Sequence, residues 1–474
     1  MNERTDNVLW ELGLLARAAD ARSRGGGLSS HIEAVGTDTR SLPPQSLFVA
    51  LRGENFDGHA FVPDAVRAGC VAVMMDETGA ESLGDDISSQ VPLLVVDDTL
   101  RAYGDMAGCH RRLMARPLVA VTGSNGKTTT KELIAAGLSP RGTVHKTAGN
   151  FNNLVGLPKT LLAWGAEAWT SVVELGMNVP GEIERLTQIA APTVGVITNV
   201  AGAHLEGLGS IEGVARAKGE LFASLPLNAV GIVNLDDPMV LGICAPMLDG
   251  RPRLTFGRAA QADVRIRSCE TTGRGSAITL AIESREITFE VPLYGAHNAS
   301  NVAAAFTAGL ALGSSPESLA EGMAEVSVPG GRARVLRAEG GGCHVIDDTY
   351  NANPASMRAA FNMLADLAGT GRRVAALGTM FELGEASATL HHEVGQAAAA
   401  AGIELVLGAG PEAEAIRAGA EAGGAKALAF EQVDELISVV RGELDDGDWL
   451  LVKGSRGMRM ERVVQAVTET EEVS

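Results

Sequence analysis

The stretch Val119-Ala-Val-Thr-Gly-Ser-Asn-Gly-Lys-Thr-Thr-Thr130 decides the fold, because an apolar run passes through a glycine-rich turn into the helical sequence KELIAAGL. This succession predicts a strand, a turn and a helix, in which backbone N–H groups and the helix N-terminus hold phosphate. Lys127 is predicted to reach the terminal phosphates, and the Thr128 hydroxyl is predicted to ligate Mg²⁺.

The strict GxxxxGKT spacing of such loops is not met, since Val121 stands where the first glycine belongs. An ordinary Gly/Asn turn ahead of a helix is the alternative. That alternative does not explain why the strand, the Gly-Lys-Thr-Thr sequence and the helix occur together. We therefore predict an ATP site with Mg²⁺, whose loop comprises Gly123, Ser124, Asn125, Gly126, Lys127, Thr128 and Thr129.

The same succession of an apolar run, a polar turn and an Ala-rich stretch recurs along the chain. Examples are TSVVELGMN, TVGVITNV, CHVIDDTYN and DWLLVKGS. Strands that alternate with helices imply βαβ units and parallel sheets covered on both faces. Between about 251 and 294 the pattern alternates residue by residue, which predicts an antiparallel patch attached to the middle sheet.

Two junctions divide the chain of 474 residues, which is long enough for about three domains. A helical stretch stops at Pro117, and VSVPGGRAR near residue 329 breaks a helix-rich segment ahead of another strand. We predict an α/β protein with domains at 1–115, 116–328 and 329–474. The first is an α/β domain, the second a P-loop domain with a parallel sheet, and the third a Rossmann-like α/β domain.

The composition excludes several classes of protein. With 39 Lys and Arg against 58 Asp and Glu, the net charge is −19, so no basic surplus is available for nucleic-acid phosphates. The five cysteines stand singly, which suits a reducing compartment. No apolar run approaches the ~20 residues of a membrane span, and the N-terminus lacks the apolar core of a signal peptide. We expect a cytoplasmic protein that binds no nucleic acid and does not insert into a membrane.

Several polar residues stand at or near the ends of predicted strands. Glu174 ends TSVVELG, Asn199 ends VGVITN, and His204 follows in AHLEG. Ligands bind outside the carboxyl ends of parallel strands, so these residues could face the nucleotide, with Glu174 and His204 as Mg²⁺ ligands. Taken alone, a helix cap and a loop hydrogen bond explain Glu174 and His204 as well. Lys218 in EGVARAKGELF has the pattern of a solvated surface charge.

Other polar clusters lie outside these strand ends. GNFNNLVGLP brings Asn150, Asn152 and Asn153 into one loop, which is either a source of amide donors and acceptors or a plain loop. YGAHNASN begins a helix with Asn298 and Asn301 on one face.

The third domain has polar clusters of its own. It opens with PGGR, ending at Arg332, and continues with the dense cluster IDDTYNANP at 346–354. Near the C-terminus, VKGSR places Lys453 and Arg456 in a basic spot where an acidic protein could meet an anion.

These motifs, in this order, resemble the Mur ligase family of ATP-dependent ligases that form amide bonds. TGSNGKTT, ELGMN, TNV followed by AHLEG, AKGE, YGAHNASN, PGGR and VKGSR all fall where that family has them, over nearly the whole chain. The phrases GNFNNLVGLP, DDTYNANPASM and LGTMFELGE are similar to the branch that acts on D-alanyl-D-alanine. The N-terminal DTRSLPPQSLFVALRGENFDGHAF is similar to a uridine-nucleotide-binding domain. That branch usually has Asp where this chain has Thr379, so no role is assigned to that position.

The resemblance implies a reaction and a role for each motif. ATP phosphorylates the carboxylate of UDP-N-acetylmuramoyl-tripeptide, and the amine of D-Ala-D-Ala displaces phosphate from the acyl phosphate. Lys127, Glu174, His204 and Lys218 would be the catalytic residues. Thr128, Glu174 and His204 would hold Mg²⁺, and Lys218, if carbamylated as in related ligases, would support a second ion.

The resemblance also implies the binding residues. Asn298 would contact adenine, and Arg332 and Asp347 would meet the phosphates and ribose as the C-terminal domain closes about a hinge at 329–331. On the substrate side, Thr39 and Arg40 would lie near the uridine, and Asn150, Asn152 and Asn153 would contact the muramoyl peptide. Asn351, Asn353, Lys453 and Arg456 would order the dipeptide or close the site. A monomer is expected.

Two alternatives remain open at this level. Folylpolyglutamate synthase also joins a carboxylate to an amine with ATP, but it begins directly with its P-loop and lacks the N-terminal domain. A P-loop regulatory ATPase would need TGSNGKTT but would not explain GNFNN, DDTYNANP and VKGSR together. Turnover of ATP discriminates these classes, since a switch hydrolyses ATP alone whereas a ligase needs its carboxylate and amine.

Overall fold

The computed structural model describes residues 10–53, 56–83, 85–202, 205–338 and 342–468. Across these ranges the chain alternates strands with helices, and each of the three predicted parts is built around a sheet of its own, which confirms the predicted α/β class. Within the described ranges no helix is both long and apolar enough to cross a bilayer. Short 3-10 helices lie at Gly58–Phe61, Ser139–Arg141, Ala245–Leu248, Gly384–Ala386, Arg441–Glu443 and Arg456–Met458, and a π-helix at Val240–Cys244.

The first part is a mostly parallel sheet with helices around it. Its strands are β1 (Trp10–Glu11), β2 (Arg22–Arg24), β3 (His31–Ile32), β4 (Ala34–Gly36), β5 (Ser46–Val49), β6 (Ala72–Asp76) and β7 (Leu93–Val96). Its helices are α1 (Leu12–Ala18), α2 (Val62–Arg67), α3 (Glu77–Ser82), α4 (Asp85–Ser88) and α5 (Thr99–Met114). The order is β2-β7-β6-β5-β4, with only the β2–β7 pair antiparallel, and β1 pairs antiparallel with β3.

The central part carries the glycine-rich loop. Its strands are β8 (Leu118–Thr122), β9 (Val144–Lys146), β10 (Thr170–Glu174), β11 (Val194–Ile197), β12 (Val230–Asn234), β13 (Arg253–Gly257), β14 (Val264–Thr271), β15 (Ser276–Ile282) and β16 (Arg285–Val291). Its helices are α6 (Lys127–Leu138), α7 (Gly156–Leu162), α8 (Glu182–Ala190), α9 (Leu205–Leu208), α10 (Ile211–Ala223), α11 (His297–Ala311) and α12 (Pro316–Ala324).

The central sheet has the order β16-β15-β14-β13-β12-β11-β8-β10-β9. Its strands pair in parallel from β9 through β14, and β14, β15 and β16 pair antiparallel. The predicted antiparallel patch is therefore confirmed for β14 to β16, whereas β13 belongs to the parallel region. Because β8 lies between β10 and β11, the ends of these three strands converge on the loop that follows β8.

The C-terminal part is again a covered, mostly parallel sheet. Its strands are β17 (Arg334–Arg337), β18 (His344–Asp348), β19 (Arg373–Gly378), β20 (Leu405–Ala409), β21 (Lys426–Phe430) and β22 (Trp449–Lys453). Its helices are α13 (Pro354–Ala368), α14 (Ser387–Ala400), α15 (Ala413–Ala422), α16 (Val433–Val440) and α17 (Glu461–Val467). The order is β17-β18-β22-β19-β20-β21, with β17 antiparallel at one edge.

The first and central parts share one hydrophobic core, whereas the C-terminal sheet has its own core on each face. Helix α5 of the first part packs against α7 and α8 of the central part, and residues of all three helices belong to this shared core. Polar contacts seal this seam: Arg111 Nε donates to the Ala190 carbonyl at 2.9 Å, and Arg185 pairs with Asp105 at 2.8 Å. The first two parts are therefore bound to each other by burial of apolar surface as well as by the chain.

The buried His110 forms hydrogen bonds at the same interface between the first and central parts. Trp10 Nε1 donates to His110 Nδ1 at 2.9 Å, and His110 Nε2 lies 3.1 Å from the Trp164 carbonyl. This pattern needs a neutral ring with its proton on Nε2, since protonated Nδ1 cannot accept from Trp10. Burial lowers the pKa of His110, and it also lowers the pKa of His145, whose ring stacks on Trp164.

We expect the free energy of unfolding to fall as the pH drops below about 6.5. Below that pH the unfolded chain takes up protons at ordinary histidine pKa values, while the folded rings of His110 and His145 stay neutral. Above it both states are neutral and no penalty arises. The loss is up to about 1.4 kcal/mol per pH unit for each such histidine, until the pH falls through its folded pKa.

Thermal unfolding at about pH 7.5 and about pH 5.5 measures this loss. The variant His110→Gln keeps a polar side chain that does not titrate, so its melting temperature should fall less between the two pH values. An equal fall in the variant and the wild type would contradict a role for His110.

Candidate active site

The glycine-rich loop joins β8 to α6 as predicted, and two of its glycines adopt backbone conformations that side chains rarely allow. Gly123 has φ +151° and Gly126 has φ +79°. A Cβ at Gly123 would lie 1.9 Å from Thr198 Oγ1, and one at Gly126 would lie 2.2 Å from Asn301 Oδ1. Both positions therefore require glycine, and the loop leaves its backbone open in front of the helix N-terminus, where phosphate binds in such loops.

The strand end after β11 holds the loop in place. Ser124 N donates to the Asn199 carbonyl at 2.9 Å, and Asn125 N donates to Asn199 Oδ1 at 3.0 Å. Thr198 Oγ1 donates to the Asn125 carbonyl at 2.6 Å. Asn199 therefore faces the loop, as its position at a strand end predicts.

Lys127 is the first residue of α6, and its Nζ donates to the Gly123 carbonyl at 2.8 Å. Burial lowers the pKa of Lys127, while the nearby Glu174 carboxylate acts in the opposite direction. The lysine thus lies at the mouth of the loop and across from a carboxylate, where its charge can meet a phosphate.

Thr128 and Glu174 meet at the end of β10. Thr128 Oγ1 donates to Glu174 Oε2 at 2.7 Å, and Asn152 Nδ2 donates to Glu174 Oε1 at 2.8 Å. The Glu174 side chain is buried, so it does not act as a helix cap on the surface. A hydroxyl and a carboxylate are the oxygen donors that Mg²⁺ prefers, and this ion usually takes only one or two carboxylates and keeps several waters. The donor set therefore fits Mg²⁺.

His204, the other predicted ligand, lies outside the described residues. Among the residues that are described, no group of three or more His, Cys, Asp and Glu side chains is placed to hold a metal ion. Any ion at Thr128 and Glu174 would thus complete its coordination with water, with phosphate oxygens or with groups beyond these ranges.

A second set of residues, which the sequence analysis missed, holds Glu174 from behind. Glu174 N donates to Thr147 Oγ1 at 3.0 Å, and the buried Lys131 donates through Nζ to the Thr147 carbonyl at 2.6 Å. Lys131 also pairs with Glu132 at 3.0 Å. The sequence carries a signal for this support only in TTTKE, where a lysine lies in the first turns of the helix that follows the loop.

Lys218 is buried in α10, so its interpretation as a solvated surface charge is wrong. Burial holds the pKa of Lys218 well below its usual range, and repulsion from Lys127 lowers it further. None of the described residues forms a hydrogen bond or ion pair with its Nζ. A buried amine without a counter-charge is costly, which favours its neutral form.

A cavity of about 320 Å³ lies between the loop and the C-terminal part and is lined by both. Its walls come from the loop, from the start of α11 and from the segment after β18. The predicted residues that line it are Ser124, Asn125, Gly126, Lys127, Thr128, Thr129, Glu174, Asn298, Arg332, Asn351, Asn353 and Lys453. These twelve residues, predicted from distant stretches of the sequence, thus meet at one seam between the central and C-terminal parts.

Arg332 faces the cavity from the C-terminal side. Its guanidinium lies 3.8 Å from the centroid of the Tyr350 ring, and its buried Nε has no hydrogen-bond partner among the described residues. Burial lowers the pKa of Arg332, although Glu174 across the cavity acts in the opposite direction. An unpartnered guanidinium N–H at this place fits an anion such as phosphate.

Asp347 is placed differently from the expectation of a ribose contact, because it does not line the cavity. Its carboxylate accepts hydrogen bonds from Gly331 N at 3.1 Å and from Thr349 Oγ1 at 2.6 Å. It therefore holds the backbone beside Arg332. The neighbouring Asp348 lines the cavity instead.

The predicted basic spot needs correction. Lys453 is buried and pairs with Asp348 at 2.6 Å, so its charge is already matched, and its Nζ also donates to the Asn351 carbonyl at 2.9 Å. Arg456 is exposed and does not line the cavity, although its guanidinium lies 5.9 Å from the Tyr350 ring centroid. Asp348 and Tyr350, which belong to the polar cluster at 346–354 but were given no role from the sequence, also line the cavity, as does His297, which the sequence did not single out.

Asn298 lies at the start of α11 on the cavity wall. Its Nδ2 donates to the Tyr294 carbonyl at 2.8 Å, and its Oδ1 accepts from Asn301 Nδ2 at 2.8 Å. Asn298 and Asn301 thus share a helix face, as their spacing predicts. Asn301 packs directly beneath Gly126 and so links this helix to the loop.

The substrate-side residues predicted in the first part and in the Asn-rich loop lie outside this cavity. Arg40 is exposed and pairs with Asp38 at 2.7 Å, which lowers the pKa of Asp38 to about 2, with a smaller contribution from Lys159. Lys159 in turn stacks on Phe151, so the turn that holds Thr39 and Arg40 is near the Asn-rich loop.

Within that loop the three asparagines have different surroundings. Asn150 is exposed, Asn152 contacts Glu174, and Asn153 Oδ1 accepts from Gly156 N at 2.8 Å ahead of α7. Asn152 alone of these three therefore reaches the candidate metal ligands among the described contacts.

Thr379, where the sequence departs from the branch it resembles, lies at the end of β19 away from the cavity. Its hydroxyl accepts from Glu412 N at 3.2 Å, ahead of α15. A hydroxyl oxygen can accept this hydrogen bond as a carboxylate oxygen would. With Thr379 in place of Asp, the Glu412 N–H therefore still has a hydrogen-bond acceptor.

Comparison with protein families gives three matches in chain order. Residues 31–108 match "Mur ligase family, catalytic domain", residues 121–309 match "Mur ligase middle domain", and residues 331–456 match "Mur ligase, glutamate ligase domain". Together these matches cover most of the chain.

Curated relatives and solved structures agree with these matches. The chain is 38% identical to the UDP-N-acetylmuramoyl-tripeptide–D-alanyl-D-alanine ligase of Escherichia coli over 94% of this chain and 95% of that protein. The ligase of the same name from Bacillus subtilis is 36% identical over 93% and 94%.

Among solved structures, MurF from Acinetobacter baumannii is similar with a TM-score of 0.87, 31% identity and coverage of 97% and 98%. MurF ligase from Thermotoga maritima in complex with ADP has a TM-score of 0.81, 27% identity and coverage of 91% and 96%. Folylpolyglutamate synthase from Mycobacterium tuberculosis covers 77% of this chain and 93% of its own at 17% identity and a TM-score of 0.62, which indicates a shared fold only.

Proposed function

The chain belongs to the Mur ligase family, and we propose that it joins D-alanyl-D-alanine to UDP-N-acetylmuramoyl-tripeptide with ATP. The products are UDP-N-acetylmuramoyl-pentapeptide, ADP and phosphate, in the synthesis of peptidoglycan precursors. The observation that carries the proposal is the cavity itself, in which Lys127, Thr128 and Glu174 face Arg332 across the seam. Relatives of this name at 36–38% identity over more than nine-tenths of the chain support the substrate pair.

The chemistry explains why such a cavity is needed. A carboxylate is a poor acyl donor because its oxygen is a poor leaving group. In the first step a carboxylate oxygen of the tripeptide bonds to the γ-phosphorus of ATP, the bridging P–O bond breaks, and ADP leaves. In the second step the amine attacks the acyl carbon, the C–O bond to phosphate breaks, and the amine loses a proton as the C–N bond forms.

The residues of the cavity match the charges that develop in these steps. Lys127 and Arg332 bring positive charge toward the triphosphate and the incoming carboxylate from opposite walls. Thr128 and Glu174 would hold Mg²⁺, which when bound would neutralise charge on the phosphate oxygens. A carbamylated Lys218 would present an oxygen donor in place of an amine.

We further propose a division of labour among the three parts. Residues 1–115 would bind the uridine end of the substrate, 116–328 would bind ATP, and 329–474 would bring D-Ala-D-Ala to the acyl phosphate. The nearness of the turn at Asp38–Arg40 to the Asn-rich loop supports one continuous path for a long UDP-linked substrate. We also propose that the protein is cytoplasmic, since the reaction consumes ATP, and that it acts as a monomer.

Phosphate release from ATP with Mg²⁺ and UDP-N-acetylmuramoyl-tripeptide, with and without D-Ala-D-Ala, tests the proposal. We expect rapid release only when both partners are present, together with formation of the UDP-linked pentapeptide. If phosphate is released at the same rate without UDP-N-acetylmuramoyl-tripeptide and D-Ala-D-Ala, the ligase assignment is contradicted and a P-loop regulatory ATPase is favoured. Release that responds to a folate and glutamate, and not to the UDP-linked tripeptide, would indicate a folylpolyglutamate synthase.

A further inference from the structure

A hydrogen bond between two asparagine side chains connects the glycine-rich loop directly to the C-terminal part. Asn353 Nδ2 donates to Asn125 Oδ1 at 2.7 Å, across a separation of 228 residues in the sequence. The reverse contact, from Asn125 Nδ2 to Asn353 Oδ1, measures 3.5 Å. Asn353 is 7% exposed and Asn125 is half-buried, so the Asn353 side of the pair is shielded from water.

Local contacts fix the orientation of the Asn353 amide. Asn353 precedes α13, where its Oδ1 accepts from Ser356 N at 2.9 Å and its backbone N donates to Ser356 Oγ at 3.0 Å. Because Oδ1 is committed to the first turn of the helix, Nδ2 is the atom left to face Asn125. The side chain cannot turn toward a peptide ligand without giving up its helix cap.

The partner on the loop is fixed as well. The Asn125 backbone is held at both its N–H and its carbonyl by Asn199 and Thr198. The Asn125 side chain is therefore the part of this residue that can form a hydrogen bond with the C-terminal part. The amide pair, which we call the Asn clasp (Asn125 and Asn353), joins the loop to the start of α13.

We propose that Asn353 is a positioning residue that holds the C-terminal part closed over the nucleotide loop through one contact, its side-chain hydrogen bond to Asn125. Of the two roles that the resemblance implies for Asn353, ordering the dipeptide or closing the site, this contact favours closing the site. This inference rests on the proposed function. An acyl phosphate hydrolyses when water reaches it, so the seam must stay closed between the two chemical steps. The clasp is made of neutral amides, so its strength does not change with pH over the range in which carboxylates and histidines titrate.

The variant Asn353→Ser separates the clasp from the helix cap. Serine is as good a residue ahead of a helix as asparagine, but its side chain is too short to reach Asn125. We expect kcat to fall about five- to tenfold, the rate equivalent of one neutral hydrogen bond, with little change in the KM for ATP. We also expect more phosphate released per pentapeptide formed, because the open seam lets water compete with the amine.

Two comparisons make the test specific. Ser315→Ala removes the cap of α12, where Ser315 accepts from Ser318 N, and leaves the clasp intact. It should keep the wild-type ratio of phosphate to pentapeptide. Asn125→Ala removes the clasp from the other side, and combining it with Asn353→Ser should add no further uncoupling if both act through one contact.

A readout that needs no ligation separates this inference from the proposed function. Small-angle X-ray scattering with a non-hydrolysable ATP analogue and Mg²⁺ should show a larger radius of gyration for Asn353→Ser than for the wild type. Equal radii, or an unchanged phosphate-to-pentapeptide ratio, would overturn the clasp even if the wild type is the proposed ligase. If the wild type makes no pentapeptide, the proposed function fails, and the scattering result still decides the clasp.

Discussion

Lys127→Ala is expected to reduce ligation by about a thousandfold or more, because Lys127 is the cation at the mouth of the phosphate-binding loop. Its Nζ lies 2.8 Å from the Gly123 carbonyl, and Glu174 lies close enough to shift its pKa. Without the positive charge of Lys127, less positive charge would offset the repulsion between the γ-phosphoryl group and the incoming carboxylate. The rate of pentapeptide formation at saturating substrates measures the loss.

The fold should survive this change. Burial lowers the pKa of Lys127, so the folded state already carries a cost for its charge, and alanine is the best helix former at the first position of α6. The melting temperature without nucleotide should therefore be no lower than that of the wild type. Lys426→Ala, at an exposed position of β21, is the control and should keep full activity. Near-wild-type turnover of Lys127→Ala would contradict the assignment of the loop.

Lys218→Met is expected to lower ligation by at least about a hundredfold if the lysine supplies a carbamate. Burial and repulsion from Lys127 hold the pKa of the amine well below its usual range, which favours the neutral form that reacts with CO₂. The carbamate is negative and would balance the charge of Lys127 nearby. Methionine fills a similar volume, so the core around Cys244 and α10 should stay packed.

Carbon dioxide provides the direct test of this idea. Wild-type activity should fall in buffer stripped of CO₂ and return when bicarbonate is added, whereas Lys218→Met should be slow in both. Arg216→Ala, at an exposed position on the same helix, is the matched control and should respond as the wild type does. If the activity of the wild type does not change with bicarbonate, Lys218 acts as an unmodified amine. A fully active Lys218→Met would exclude it from the site.

Local patterns were enough to predict the parallel sheets, the loop between β8 and α6, and the antiparallel β14 to β16. These features depend on short-range properties: buried apolar runs, glycines at turns and alternation along a strand. The assignments of Lys127 and Thr128 followed from the glycine-rich loop, and that of Glu174 followed from the rule for the strand ends of parallel sheets. The structure brings Thr128 and Glu174 to 2.7 Å.

Local sequence patterns could not predict the contacts between segments that are distant in the sequence. Lys218 has the sequence context of a surface lysine, yet tertiary packing buries it. Lys453 has the context of a free cation, yet Asp348 from a neighbouring strand neutralises it. In each case the chemistry of the side chain depends on its neighbour in space, because burial and the nearest opposite charge decide whether a group is charged and available.

By itself, therefore, the sequence determined the α/β class, the phosphate-binding loop and the family. These follow from the order of residues along short stretches, where backbone geometry and hydrophobic periodicity act locally. Only the tertiary structure decided that Asn353 clasps Asn125, that Asp347 supports the backbone while Asp348 faces the cavity, and that Thr147 and Lys131 hold Glu174. The physical reason is that hydrogen bonds act over about 3 Å, and the chain brings these atoms together only when whole domains pack.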